Sequence, residues 1–486
     1  MKVTIITEGG LNIGLGHIMR CLSVYQAFEE RNINVKLIVN SDNSVDKLLE
    51  NKNYKIFNWV EKQQELFDLI KDNNVVIIDS YLAEISFYKK ISELVEIPVY
   101  IDDNNRLEYP KGFVLNGNIH AKELNYPANK DIKYLLGTEY TPLRKEFWDV
   151  PEKVQKEKIN NVMIVLGGND IRNLTPLIMG FLKRKYPFWK KNIIIGSSFS
   201  NIDAIKKEID ENTNLIYYPD AQGMKEIMLK SDMAISAGGQ TLYELARIGV
   251  PTIGICVAEN QIGNIQGWQK VGFLDYTDLH NESTLSKEFT NIIERLQEES
   301  IREEKSKIGK HLVDGKGSYR VVKDLLACWL RNNLTLRRTT LNDAMNLFKL
   351  SNDNKVRENS FTSEKIEWET HLKWLTEKLA DNNVMLFVIS DNLDGFYGQV
   401  RFDIEDEINE AVIGISLEKS TRGLGLAPFV LNKAVEKFLE TKNVKLIRAY
   451  IKEENTSSIK SFEKAGFRFF KDLLIKGNKS KLYIRD

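Results

Sequence analysis

Twice in the first two thirds of the chain, an apolar β-branched run ends in a glycine-rich loop. The first case is VTIITEGGLNIGLGHIMRCLSVYQAF at residues 3–28, and the second is VMIVLGGND at 162–170. Around these loops, short apolar runs alternate with amphipathic segments such as Ile18–Glu30 and Thr241–Ile248. The runs expected as strands are Val3–Thr7, Val35–Val39, Val75–Asp79, Val99–Asp102, Val162–Leu166, Asn192–Gly196, Met233–Ser236 and Thr252–Cys256. Unbroken apolar strands alternating with helices predict parallel sheets covered on both faces. The alternation pauses over the charged stretch Glu146–Asn160 and then restarts, which predicts two Rossmann-like halves, 1–150 and 151–330.

Beyond a second break near Leu325–Leu336 the texture changes. Paired strands are expected at Met385–Ser390 and Tyr397–Asp403, and another at Ala411–Leu417. A helix over Gly423–Glu440, a strand over Lys445–Lys452 and a helix over Ser457–Gly466 complete a mixed α+β module at 333–486. The fold class expected is therefore α/β, with two Rossmann-like domains followed by an α+β domain.

The chain has 486 residues, which suits two or three domains. Lys+Arg and Asp+Glu both total 68, so no net field recruits nucleic acid or membrane. The charge run Glu298–Lys307 reads as a solvated helix face. Cys21, Cys256 and Cys328 have neither metal-site nor disulfide-framework spacing. With no apolar leader and no long apolar span, the expectation is a cytoplasmic protein without a metal.

The first glycine loop fails as a dinucleotide site. Gly14 and Gly16 are present, but Met19 stands where a third glycine belongs, and Val39-Asn40 closes the second strand where an acid is needed. What remains is a strand-to-helix turn with free backbone N–H groups, suited to an anion. His17 at its end can take a proton from water; the plainer alternative is that it caps the helix. The second half offers SAGGQTLYE at 236–244, where glycines admit a diphosphate and Glu244 can accept from ribose hydroxyls.

The pattern GxGH plus SxGGxTxYE…GxP…NQ resembles nucleotide-sugar enzymes of the two-domain GT-B fold. The resemblance is closer still to the UDP-sugar hydrolases of pseudaminic acid biosynthesis and the related spore-coat polysaccharide proteins. IIDSY (77–81), YIDDNNR (100–106), LLGTEYTPLRKEF (135–147) and LGGNDIRNLT (166–175) extend the match over most of residues 1–330. The resemblance implies hydrolysis of a UDP-2,4-diacetamido-2,4,6-trideoxy sugar without a metal, with His17 as catalytic residue. It implies a UDP-sugar site at Gly14, Gly16, Arg20, Tyr81, Arg144, Gly168, Asn169, Gly238, Gly239, Thr241, Glu244, Asn260 and Gln261. One departure is Asp79-Ser80-Tyr81, where some members read Asp-His-Tyr.

In the last module, Arg422-Gly423-Leu424-Gly425-Leu426-Ala427 follows a strand and opens a helix, and Asn455-x-x-Ser458 and FEKAGF (462–467) follow. This resembles the GNAT N-acetyltransferases. The resemblance implies acetyl-CoA as co-substrate, held by Leu417, the 422–427 loop, Asn455 and Ser458. Phe462 stands where many members carry a proton-donating tyrosine, leaving Tyr450 as candidate acid. VRENSF (356–361), HLKW (371–374) and GQVRFD (398–403) look like the subgroup that acetylates 4-amino groups of UDP-linked dideoxy sugars. Arg357, His371, Trp374 and Arg401 are its implied substrate contacts, though packing and surface ion pairs account for them equally well. Together the resemblances imply acetylation of a UDP-4-amino sugar and then release of UDP. The alternative is a GT-B glycosyltransferase of surface or spore-coat polysaccharide synthesis joined to a sugar acetyltransferase.

Overall fold

The computed structural model describes residues 1–10, 13–277 and 282–486, so Leu11 and Asn12 of the first glycine loop lie outside the described residues. The chain divides into two compact units, Met1–Val322 and Lys323–Asp486.

The first unit holds two sheets. Strands β1 (Val3–Glu8), β2 (Val35–Asn40), β3 (Tyr54–Ile56), β4 (Val75–Asp79), β5 (Ile97–Ile101), β6 (Gly112–Asn116) and β7 (Ile132–Leu136) order as β3-β2-β1-β4-β5-β6-β7, every pair parallel. Strands β8 (Asn161–Val165), β9 (Lys190–Ile195), β10 (Thr213–Tyr217), β11 (Met233–Ala237), β12 (Thr252–Ile255) and β13 (Leu274–Thr277) order as β10-β9-β8-β11-β12-β13, also all parallel. Each order reverses beside its first strand, between β1 and β4 and between β8 and β11. Those reversals are where open parallel sheets leave a crevice at the strand carboxyl ends.

The unbroken apolar runs have a direct cause. Val162 and Ile164 face one core cluster, and Met163 and Val165 face the other, so each face of β8 needs apolar side chains. Five strands of this unit escaped the sequence reading: β3, β6, β7, β10 and β13. Strands β3 and β10 are only half-buried, which weakens the apolar signal.

The charge run at 298–307 is not simply a solvated face. It lies in the helix Glu299–Leu312, where Arg302, Lys305 and Ser306 are buried. The Arg302 guanidinium donates to the carbonyls of Gln297 at 2.8 Å and Glu157 at 3.0 Å, and also to Leu296 and Lys156. Its charge is spread over backbone oxygens, which is how a buried cation is tolerated without a carboxylate. The chain at 153–157 is held further by Lys153 Nζ on Leu229 O (2.8 Å) and Gln155 Nε2 on Gly249 O (3.0 Å).

The second unit is one mixed sheet, β14 (Thr335–Arg338), β15 (Val384–Ser390), β16 (Phe396–Glu405), β17 (Glu410–Leu417), β18 (Leu446–Lys452), β19 (Arg468–Ile475) and β20 (Asn478–Arg485), in the order β14-β15-β16-β17-β18-β20-β19. Only β17 and β18 pair in parallel, and only over Glu410–Val412 against Leu446–Arg448. Beyond those residues the two strands are not paired with each other. The stretch 325–336, expected as a break between domains, holds the end of the helix Gly317–Asn333 and the start of β14. The helix expected from Gly423 begins at Ala427. Gly423 (φ 76°) and Gly425 (φ 69°) lie in the left-handed region, which cannot continue a right-handed helix.

Candidate functional site

The register of the first sheet gathers one cluster. Thr7 pairs with Asp79 and Asp79 with Ile101, so the loops after β1, β4 and β5 leave the sheet side by side. The helix Gly16–Glu29 starts in the first of these loops and carries His17 and, three residues on, Arg20 on the same side. His17 Nδ1 lies 2.6 Å from Asp79 Oδ1. Arg20 grips the same carboxylate, Nε to Oδ2 at 2.9 Å and Nη2 to Oδ1 at 2.8 Å, and reaches Asp103 Oδ1 with Nη1 at 2.6 Å. The Tyr81 hydroxyl donates to Asp103 Oδ2 at 2.9 Å, and its ring meets the His17 imidazole edge-on at 4.8 Å.

These contacts set the charges. Asp79 is fully buried, which by itself raises its pKa; the Arg20 and His17 charges overcome this and hold the carboxyl well below its usual range. Burial disfavours the His17 imidazolium, but the Asp79 charge and hydrogen bond outweigh it and raise the imidazole pKa above its ordinary value. A carboxylate on Nδ1 places the proton of the neutral ring there, so Nε2 becomes the basic nitrogen. Ser80, at the position where some similar sequences have histidine, is buried and donates to the Glu8 carboxylate. Glu8 also accepts the Tyr81 and Leu82 backbone N–H groups at 2.7 and 3.2 Å, so this residue fixes the turn that carries Tyr81.

The glycine turn of SAGGQTLYE (236–244) leaves β11 and opens the helix Thr241–Ile248. Gln261 Oε1 accepts from Gly238 N at 3.1 Å and from Val257 N at 3.3 Å, joining two of the assigned positions. A side chain on Gly14, Gly16, Gly168 or Gly239 would meet no heavy atom within 4 Å, so backbone at all four borders open space. At Gly238 it would strike Ile265 at 2.6 Å, making that glycine a packing requirement. Arg144 and Glu244 form a two-pronged pair, Nε to Oε1 at 2.7 Å and Nη2 to Oε2 at 2.8 Å. Burial raises the Glu244 carboxyl even against the Arg144 charge. Arg144 thus sits with Glu244, whereas Tyr81 sits with His17. Asn169 is exposed on its loop, Asn260 is exposed in the short 3-10 helix Glu259–Gln261, and Thr241 is half-buried at the first turn of its helix.

In the second unit, Leu424 and Leu426 are buried and anchor the 422–427 loop, while a side chain at Gly423 would enter open space. Arg422 closes the loop base through Nε on Leu417 O and Nη1 on Asp353 Oδ1, both at 2.8 Å. The following helix has no side-chain cap and no acid in its first turn, so its terminal N–H groups suit the phosphates of a ligand such as acetyl-CoA. Leu417 and Tyr450 both lie on β17 and β18 beyond the stretch where those strands pair. Asn455 serves locally as a cap, accepting from Ser458 N at 3.2 Å. His371, Trp374 and Arg401 come together: the two rings are 5.7 Å apart, and the Arg401 guanidinium lies 5.7 Å over the indole. Arg357 stands apart from that group, donating to Thr362 O, Glu364 O and Ser360 Oγ.

Sequence reasoning passed over Asp79 and Asp103 as site residues, although they lie in IIDSY (77–81) and YIDDNNR (100–106). The available signal was an acid at the carboxyl end of a central parallel strand. Among the described residues, no three His, Cys, Asp or Glu side chains are gathered as a metal would need, and no helix is long and apolar enough to cross a membrane.

Two Rossmann-like parallel sheets, followed by a mixed sheet of the acetyltransferase type, define the class, and comparison with known proteins agrees. Residues 333–468 match the family model for the acetyltransferase (GNAT) domain. An uncharacterized protein of Methanocaldococcus jannaschii is 25% identical over 96% of this chain and 97% of its own length. The pseudaminic acid cytidylyltransferase and UDP-2,4-diacetamido-2,4,6-trideoxy-beta-L-altropyranose hydrolase of Helicobacter pylori is 27% identical over 60% of this chain, which spans 51% of that protein. The spore coat polysaccharide biosynthesis protein SpsG of Bacillus subtilis is 24% identical over 66% of this chain and 96% of its own length. Among solved structures, spermidine N-acetyltransferase from Vibrio cholerae in complex with CoA and spermine aligns with 32% of this chain and 95% of its own at 21% identity, TM-score 0.30.

Proposed function

We propose that the chain is a bifunctional nucleotide-sugar enzyme. Its last domain (333–486) N-acetylates the 4-amino group of a UDP-4-amino-4,6-dideoxy sugar. The two Rossmann-like halves (1–150 and 151–330) then release UDP from the UDP-2,4-diacetamido-2,4,6-trideoxy sugar by hydrolysis. The observation that carries this reading is the 2.6 Å contact between His17 and the buried Asp79. It orients Nε2 to take a proton from water attacking the anomeric carbon, a role that typically contributes about 10²–10⁴-fold. The backbone at Gly14, Gly16, Gly168 and Gly239 accommodates the diphosphate, stabilising its charge with N–H groups. The name of the Helicobacter relative supports the same substrate class, and the Bacillus relative is named for spore coat polysaccharide biosynthesis.

In the acetyltransferase domain, the 422–427 backbone and the bare helix end after it would hold the pyrophosphate of acetyl-CoA, whose thioester supplies the acetyl group. Tyr450 lies on β18 beyond the last pairing with β17 and is the proposed acid for the departing thiol. His371, Trp374 and Arg401 form the proposed sugar-side wall.

The test is to supply purified protein with the UDP-4-amino sugar and acetyl-CoA, then follow products by mass spectrometry. The expected course is an acetylated UDP-sugar followed by free reducing sugar and UDP. Consumption only after an acceptor is added would replace hydrolysis with glycosyl transfer.

A further inference from the structure

We infer that Asp103, Asn118 and Tyr243 are positioning residues, forming a hydrogen-bonded chain that holds His17 in register with the Gly238 loop. This rests on the reading of His17 as the base.

The chain can be followed atom by atom. Arg20 is shared between Asp79, which holds His17, and Asp103. Asp103 Oδ1 also accepts from Asn118 Nδ2 at 2.9 Å. Asn118 Oδ1 lies 3.1 Å from the Tyr243 hydroxyl, which also meets Asn264 Oδ1. Asn264 Nδ2 then donates to Gly238 O at 2.6 Å. Asn118 follows β6 in the first sheet region; Tyr243 and Asn264 belong to the helices Thr241–Ile248 and Ile262–Lys270 of the second.

Acceptor-only groups at both ends fix the amides. A carboxylate and a carbonyl can only accept, so Asn118 and Asn264 must present their oxygens to Tyr243. The hydroxyl already accepts from Ile119 N at 3.0 Å, so its single proton serves one of two amide oxygens. Tyr243 is 1% exposed, so water does not make up the difference at that ring. A buried hydroxyl with one proton and two acceptors is sensitive to small displacements, because an unmet buried acceptor is costly. Movement of the Gly238 loop therefore alters the tie from Tyr243 to Asn118, and through Asp103 and Arg20 the hold on Asp79.

The experiment uses the full chain with Tyr243→Phe, Asn118→Ala and the double variant. Each single change is expected to lower UDP release by about tenfold or more while UDP affinity stays within about threefold, with the acid limb of the pH–rate profile displaced. The double variant should be no worse than the poorer single, since both cut one chain. Rates within about twofold of wild type, UDP affinity falling in step with turnover, or additive losses would each overturn the inference. If the wild type itself releases no UDP, the functional reading fails, and the inference is read from the His17 imidazole titration by NMR. A titration midpoint that moves in Tyr243→Phe supports the chain; an unmoved one rejects it.

Discussion

The His17 cluster and the 422–427 loop are both glycine-rich entries to a helix, yet they are built from opposite materials. Around His17 the working parts are charged side chains, already paired at 2.6–2.9 Å and largely withdrawn from water. At 422–427 they are backbone groups, with leucines below and open space above. Proton transfer needs a base whose orientation and pKa are set beforehand. Holding a phosphate needs only N–H groups and room to approach. Side-chain substitutions should therefore break the first site, and backbone-altering substitutions the second.

The largest effect is expected at His17. His17→Asn should lower UDP release by about 10²–10⁴-fold while UDP still binds, as read by calorimetry. Turnover at the wild-type rate would remove His17 from the chemistry. Asp79→Asn comes next, at about tenfold or more, because the ring loses the charge that orients and stabilises it. Its pH signature is the sharper readout. Asp79 raises the His17 pKa, and the base works deprotonated, so removing the charge should move the acid limb of the rate profile to lower pH. A limb that stays in place would mean that Asp79 only packs.

The same contrast explains what the sequence disclosed. The 422–427 loop is contiguous, so its residues and its glycine spacing were legible together, and only the helix start was misplaced. His17 was legible as a single residue in a loop. Its partner Asp79 is 62 residues away, and Arg20 and Asp103 are 83 apart. Only the strand order β1-β4-β5 makes them neighbours, and no local period encodes that. Arg302 shows the same limit: its charge pattern reads as solvated, and the carbonyls that satisfy it lie up to 146 residues off. In the second unit β14, β19 and β20 escaped; β19 is mostly exposed, with charged residues interrupting its apolar ones.

At the second site, Gly423→Ala places a side chain in the left-handed region and in the open space above the loop. The strain is about 1–2 kcal/mol. The expected result is a rise of about tenfold in KM for acetyl-CoA, with UDP release from pre-acetylated substrate unchanged. An unchanged KM would show that the loop backbone does not approach the ligand.

The smallest effect separates the sites by stability. His17 is held above its ordinary pKa by Asp79, so the folded state binds its proton more tightly than the unfolded chain does. That stabilisation is fully present below the unfolded imidazole value of about 6.5 and is lost as pH rises through the folded value. Asp79 runs the other way: its depressed pKa stabilises the fold above the ordinary carboxylate range and fails only as pH falls through the folded value. Between these limits both contributions coexist. The Tm difference between wild type and His17→Asn should thus be greatest near about pH 5–6 and shrink towards about pH 9, by about 2–4 °C per kcal/mol of lost stabilisation. The same difference for Gly423→Ala should be flat with pH, since no titrating group is involved. A His17→Asn difference that grows with pH would mean the pair forms with a neutral imidazole, and the comparison between a charge-built site and a backbone-built one would lose its electrostatic half.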